Sequence, residues 1–150
     1  MRVVIQKVTK AGVEIEGKSY ASINKGLLIF LGIEHTDTGD DTEWLTGKIS
    51  RLRVFDDNAG IMNLSVQDVQ GEIMVISQFT LHASTKKGNR PSYIRAARPE
   101  KAIPMYEDFI RKLEETSGCR VCSGEFGAYM SITLVNDGPV TISMDSKNKE

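Results

Sequence analysis

The segment Leu27-Leu28-Ile29-Phe30-Leu31-Gly32-Ile33 carries no polar side chain. A strand with one wet face alternates apolar and polar residues, and a surface helix repeats its apolar positions every three or four residues. This segment does neither, so it predicts a central strand covered on both faces. Covering both faces requires further layers, which the rest of the chain must supply. Upstream, Arg2 to Val8 and Gly12 to Ile15 read as two paired strands joined by a short link, and Tyr20 to Ile23 follows across the turn Glu16-Gly17-Lys18. Asn24-Lys25-Gly26 then turns the chain into the central run, so a sheet is built early.

Beyond Ile33 the periodicity changes. Thr38-Gly39-Asp40-Asp41 has the form of a capping box, and Leu45, Ile49 and Leu52 recur at helical spacing beside Trp44, which predicts an amphipathic helix closing over the sheet. Arg53-Val54-Phe55 returns to strand. Asp56-Asp57-Asn58-Ala59-Gly60 is a turn of the hairpin-joining kind, without the alternating ligand positions and closing glutamate of a calcium loop. A second helix is predicted from Pro99, a favoured first helical residue, with Ala102, Tyr106, Phe109, Ile110 and Leu113 as its apolar stripe and Gly118 as its stop. Pro104 predicts a late start or a kink. Ser131 to Val135 and Val140 to Met144 read as two final strands separated by Asn136-Asp137-Gly138-Pro139, and Ser146 to Glu150 reads as a frayed polar tail. The expected fold class is α/β: one domain over residues 1–150, with mixed β-sheets in barrel-like packing covered by two main helices.

The second informative segment is Gly71 to Leu81. Ile73-Met74-Val75-Ile76 is a short apolar run bounded by Gly71 and reads as a buried strand, with Ser77, Gln78 and Thr80 at its carboxyl end. Three polar side chains delivered to one place must be satisfied or used, because an unpaired buried polar group costs about 1–3 kcal/mol. The segment is either a strand running out into a polar turn or one wall of a site. Thr85 to Arg98 poses the same choice. It holds Lys86, Lys87, Arg90, Arg95 and Arg98 with no acidic residue, and Gly88 and Pro91 keep it out of regular structure. It is either a solvated basic loop or a contact for the phosphates of a nucleic-acid backbone. With Lys+Arg 19 against Asp+Glu 20, the chain as a whole does not attract a polyanion, so only such a local surface would do so.

Cys119-Arg120-Val121-Cys122 has the spacing of a redox or metal motif, but it follows a helix stop, and only His35 and His82 remain to complete a ligand set. Both cysteines therefore read as core or edge residues, and no metal is expected. No apolar run reaches membrane-spanning length, and the amino terminus alternates like a strand rather than a signal peptide. The expectation is a cytoplasmic protein with no membrane partner.

Taken in order, Ser77-Gln78-Phe79-Thr80 and Asn136-Asp137-Gly138-Pro139-Val140-Thr141 resemble the paired signatures of the D-aminoacyl-tRNA deacylases, enzymes that hydrolyse D-amino acids from mischarged tRNA. Met1 to Val8, Gly26 to His35, Met62-Asn63-Leu64-Ser65-Val66, Lys87-Gly88-Asn89-Arg90-Pro91-Ser92 and Gly124 to Met130 resemble the same family, so the likeness covers nearly the whole chain. One departure is Lys7, where the family usually has an arginine that braces the Gly-Pro segment; lysine keeps the charge but not the bidentate fork.

The resemblance implies hydrolysis of the ester bond of D-aminoacyl-tRNA, and of glycyl-tRNA mischarged on tRNA(Ala), without a cofactor. It implies a homodimer with active sites at the subunit interface, receiving the 3′ end and acceptor stem of the tRNA. Ser77, Gln78, Phe79 and Thr80 would form the catalytic region, and Phe126 and Met130 would flank the terminal adenine, unless both are ordinary core. Lys86, Lys87 and Arg90 would track the tRNA backbone. Two mechanisms stay open. Thr80 attacks, with His82 as an alternate-position neighbour on the same strand face and no orienting carboxylate evident; or the substrate's own 2′-hydroxyl helps activate water while backbone amides near Phe79 and Thr80 hold the oxyanion. Gly138-Pro139 alone reads as a turn with an ordinary trans bond; the resemblance implies a cis bond projecting into the partner's site, where its carbonyls hold the α-ammonium and exclude an L side chain. The alternative from another class is a non-catalytic RNA-binding module using the same basic loop.

Overall fold

The computed structural model describes residues 1–150. The chain runs β1 (Arg2–Ile15), β2 (Lys18–Ile23), β3 (Gly26–Gly32), α1 (Gly39–Ser50), β4 (Phe55–Asp56), β5 (Met62–Leu64), β6 (Glu72–Ser77), a 3-10 helix over Phe79–His82, α2 (Pro99–Ser117), β7 (Val121–Ser123) and β8 (Met130–Asp145).

The all-apolar run is the central strand it was expected to be. β3 lies between β1, antiparallel, and β6, parallel, in a sheet of order β2-β1-β3-β6-β7 with β8 on the other edge of β1. One face, with Leu27, Ile29 and Leu31, packs on α2 through Tyr106, Phe109 and Leu113 and on α1 through Leu45 and Ile49. The other face, with Leu28, meets Val8, Val13, Ile23, Met74 and Ile76, so the sheet covers this side by curling on itself toward a barrel. The parallel β3–β6 pair starts at Gly26 because nothing larger fits: a Cβ there would lie 1.8 Å from the Glu72 carbonyl oxygen.

Two expectations about strands are corrected. Arg2 to Val8 and Gly12 to Ile15 do not pair with each other; they are halves of the single strand β1. The link between them holds no turn-forming pair, so the strand bends rather than reverses, with register shifts against β8 around Val8. β8 is likewise continuous. Met130–Val135 pairs with Lys10–Ile15, and Thr141–Asp145 pairs with Arg2–Gln6. Asn136-Asp137-Gly138-Pro139 is therefore a bulge carried within a long strand and not a turn between two.

The helix signals are borne out, except that α1 ends at Ser50, so Leu52 lies beyond it and packs against the core from the following loop. Thr38 is the N-cap of α1, and its amide donates to Asp41 Oδ2 at 2.7 Å. α2 starts at Pro99 and ends at Gly118, in the left-handed region with φ 65. The late start predicted from Pro104 does not occur, because the donor it lacks belongs to the exposed side of the early turns. β4 and β5 form the expected hairpin, its turn closed by Asp57, whose carboxylate accepts from the amides of Ala59 and Ile61. Both cysteines are unpaired thiols. No helix is long and apolar enough to cross a membrane.

The tail is not frayed at its start. Ser146 is buried; its hydroxyl donates to Asp41 Oδ1 at 2.6 Å and accepts from the Met1 amino group at 2.9 Å. The same amino group donates to Asp37, and Lys147 Nζ lies 2.8 Å from Asp41 Oδ2. Burial alone would raise the Asp41 carboxyl, but the hydrogen bonds from Lys147, Ser146 and the Thr38 amide outweigh it and hold the group far below the ordinary carboxylate range. A carboxylate depressed on folding contributes stability that is complete above its unfolded value, about 4, and is lost as pH falls toward its folded value. Asp41→Asn is therefore expected to cost about 2 kcal/mol near neutral pH and to shrink the stability lost on acidification below about pH 4. Urea unfolding across a pH series checks this; parallel curves for the two proteins would contradict it.

Candidate active site

Strand pairing determines where the polar residues after Ile76 go. In the parallel ladder Leu31 stands beside Ser77, and the Gln78 amide continues the ladder with a 2.8 Å hydrogen bond to the Leu31 carbonyl. The chain then coils into the 3-10 helix. It packs on the bare backbone of Gly32, where a Cβ would meet the Gln78 carbonyl oxygen, Leu81 Cβ and His82 Cδ2, each at 3.0 Å. Within the turn, Gln78 Nε2 donates to Thr80 Oγ1 at 2.5 Å. Arg2 holds it from outside, donating to the Leu81 carbonyl at 3.1 Å while it pairs with Asp145 at 2.8 Å. The amides of Phe79 and Thr80 open the 3-10 helix and have no intrahelical acceptor.

This geometry corrects the expected relation between Thr80 and His82. On a strand they would share a face, but the 3-10 turn buries His82 and leaves both of its ring nitrogens without a hydrogen-bond partner, Thr80 included. Burial pushes the imidazole below its ordinary value, with the Glu34 carboxylate pulling the other way, so the ring is neutral at neutral pH. A carboxylate near the histidine was not evident in the sequence, yet Glu34 Oε2 lies 3.6 Å from His82 Nδ1.

Facing the turn is the segment after β7. Phe126 sits edge-to-face on Tyr106 at 5.6 Å between ring centroids, and the Tyr106 hydroxyl is anchored by donating to the Val75 carbonyl at 2.8 Å. Gly127, at φ 80, supplies a backbone turn that a side chain would strain, and a Cβ at Gly124 would collide with Met130 Sδ. Between the two walls lies a cleft of about 270 Å³. Ser77, Gln78 and Phe79 line one side, Phe126, Gly127, Tyr129 and Met130 the other, and Leu31, Ile33, Ile76 and Ala102 lie among the apolar residues beneath. No lining residue is charged. Such a cleft takes an aromatic or apolar group and presents hydroxyl, amide and backbone donors at one end. Its rim is open: Phe79 is 55% exposed and stacks edge-to-face on Tyr93, and Tyr129 is 92% exposed.

Of the sequence-predicted site residues, Ser77, Gln78, Phe79, Phe126 and Met130 line one cleft, and Thr80 is tied to it through Gln78. Gly138 and Pro139 do not line that cleft in the same chain. They lie on the β8 bulge, joined by a cis peptide bond, with the Val140 amide donating to Asn136 Oδ1 at 3.0 Å. Lys7, only 4% exposed, runs beside them, its Nζ 3.7 Å from both Asp56 Oδ2 and Asp137 Oδ2. Lys86, Lys87 and Arg90 are exposed on a loop pinched at its base by reciprocal hydrogen bonds between Ser84 and Ser92. Arg95 is turned inward to Glu34 at 2.7 Å. Sequence reasoning missed Glu34 and Tyr106; only the position of Glu34 directly after the central run could have signalled it.

The profile of the D-Tyr-tRNA(Tyr) deacylase family matches residues 4–145. Proteins named D-aminoacyl-tRNA deacylase from Flavobacterium johnsoniae and Bacteroides thetaiotaomicron are 61% and 57% identical to this chain over 150 residues, covering 100% of each sequence. Among solved structures, the c-Myc DNA unwinding element binding protein superposes with a TM-score of 0.91 at 40% identity, over 97% of this chain and 98% of its own. A probable eukaryotic D-amino acid tRNA deacylase superposes with a TM-score of 0.81 at 15% identity, over 95% and 97%, a likeness of fold alone.

Proposed function

The chain belongs to the D-Tyr-tRNA(Tyr) deacylase family, and on that premise we infer that it hydrolyses the ester bond of D-aminoacyl-tRNA, releasing free D-amino acid and tRNA. The observation that carries this reading is the single uncharged cleft joining Ser77, Gln78 and Phe79 to Phe126 and Met130. The terminal adenine enters between Phe126 and Met130 by stacking and apolar contact, which sets the ester beside the 3-10 turn. The free amides of Phe79 and Thr80 receive the oxyanion as it develops, in a pocket where apolar walls make such hydrogen bonds worth more than in water. Thr80 has no base within reach, so we assign water activation to the neighbouring ribose 2′-hydroxyl and orientation to Ser77 and Gln78.

Chirality is read by backbone. Gly138 and Pro139 of a second copy enter the cleft; their carbonyls hold the α-ammonium and leave no room for a side chain in the L configuration. Glycine, with no side chain to clash, is accepted on the same grounds, so glycyl-tRNA mischarged on tRNA(Ala) is a further substrate. The separation of bulge and cleft in one chain, and the open aromatic rim, support a homodimer that shares its sites. Lys7 braces the bulge against Asp56 and Asp137, while Lys86, Lys87 and Arg90 track the acceptor stem. The reaction belongs to the cytoplasm, where charged tRNA is used.

Release of D-amino acid from charged tRNA at substoichiometric protein, with the L ester spared, is the expected result; retention of intact D-aminoacyl-tRNA would mark a binding module instead. Thr80→Ala should keep activity within about tenfold of the wild type, whereas tRNA ending in 2′-deoxyadenosine should lose about a hundredfold or more. Neutralising Lys86, Lys87 and Arg90 together should raise KM and lower the salt slope of log KM by about 2–3, with little effect on turnover. Mixing Gly138→Val with Gln78→Ala, each inactive alone, should restore about one quarter of wild-type activity, since half of the re-formed dimers are mixed and each has one intact site. No recovery after verified subunit exchange would contradict the shared site.

A further inference from the structure

Glu34 stands where three segments meet. It follows the central run directly, its backbone bridges Ala96, and the neighbouring Ile33 carbonyl accepts from the Ala97 amide at 2.9 Å. Its side chain is 7% exposed, and its carboxylate receives Arg95 Nη2 at 2.7 Å and Thr36 Oγ1 at 3.2 Å. On its other side stands His82, at 3.6 Å, the last residue of the turn that holds Phe79 and Thr80. His82 is 2% exposed, and neither ring nitrogen has a hydrogen-bond partner. Arg95 lies on the basic segment whose tip carries Lys86, Lys87 and Arg90. One buried carboxylate thus touches the root of the basic loop and the underside of the 3-10 turn.

We propose that Arg95 is a positioning residue for deacylation: by neutralising the buried Glu34 carboxylate it lets His82 pack beside that group as a neutral ring and keeps the 3-10 turn in place. This rests on the role given above to the turn. The physical basis is the asymmetry of a pair whose carboxylate is buried while its guanidinium is half exposed: the anion cannot recover solvent when its partner is removed. With Arg95 in place the carboxylate is neutralised, and His82 packs beside it as a neutral ring. Without Arg95 the carboxylate keeps only the Thr36 hydroxyl and is an anion without a counter-charge beside a buried neutral imidazole. The turn then shifts to let solvent or a proton reach the pair, and the amides of Phe79 and Thr80 leave the position where the oxyanion forms. An error of about 1 Å there is enough to cost about a hundredfold. Removing both charges leaves no anion to satisfy, so the double variant is less disturbed than the single one.

The test is steady-state kinetics on D-aminoacyl-tRNA with folded, melt-checked wild type, Arg95→Met, Arg95→Lys and the Glu34→Gln/Arg95→Met double variant. An arginine that only contacts phosphate would change KM alone. The proposal instead expects Arg95→Met to lower kcat at least about tenfold at saturating substrate. The double variant should return kcat to within about threefold of wild type, and Arg95→Lys, which keeps the charge, should stay in the same range. A rise in KM with kcat intact, or a double variant no better than the single one, overturns the proposal. If Arg95→Met fails to fold, kcat of the double variant decides: a value more than about tenfold below wild type overturns the proposal. An inactive wild type would overturn the parent reading, and this one with it, whereas an active wild type with unchanged kcat in Arg95→Met overturns only the positioning role.

Discussion

The pairing of β1 along both of its edges is the constraint from which the rest follows. One edge is taken by β3 and then β2, the other by β8. β6 runs parallel to β3 on the edge away from β1, and its backbone approaches closely at Gly26, where a Cβ would not fit. Their register puts Ser77 beside Leu31 and delivers the next residues onto Gly32, where they coil. On the opposite edge, the step from Gln6 to Val8 is matched on β8 by the step from Thr141 back to Asn136, and the excess chain becomes the bulge that carries Gly138 and Pro139. Cleft and bulge are thus two consequences of one strand, with Lys7 between the edges.

What could be read in the sequence was what is decided locally. The missing polar face of Leu27 to Ile33, the Thr38 cap, the Asp56 to Gly60 turn, and Pro99 and Gly118 as helix ends each depend on neighbouring residues, and each holds. The failures share a different cause. A glycine- and proline-containing interruption predicts a strand break, but in β8 long-range pairing carries the chain across one. Ser77 to His82 alternates like a strand, and what coils it is Gly32, on another strand. Ser146 and Lys147 look like a loose tail because their partner, Asp41, lies more than a hundred residues away.

The same division applies to the site. Ser77, Gln78, Phe79, Phe126 and Met130 could be named from motifs, and the fold gathers them in one cleft, yet the chemistry of that cleft depends on what does not line it. None of this chain's residues lining the cleft is charged, which is why the mechanism proposed above draws on backbone, hydroxyls and substrate. A low-dielectric pocket without competing charges strengthens hydrogen bonds to a developing oxyanion and avoids reorganisation as it forms. The turn proposed to offer those hydrogen bonds needs rigid support. It receives support from Arg2 at Leu81, from the Gln78–Thr80 hydrogen bond, and from the seat on Gly32.

His82 is the costly member of that support. An apolar residue of similar size would fill its place without leaving two ring nitrogens unpaired, and a buried carboxylate beside it adds a desolvation cost that Arg95, helped by the Thr36 hydroxyl, offsets. Buried polar groups of this kind are poor sources of stability, but they impose direction: a leucine in the place of His82 tolerates many positions of the turn, whereas a ring held between Gly32 and a paired carboxylate tolerates few. Under the mechanism proposed above, which relies on where two backbone amides point, restricting the turn is worth more than the stability forgone. The cation that makes the arrangement tolerable comes from the segment that follows the exposed basic loop, so one carboxylate meets both that segment and the 3-10 turn.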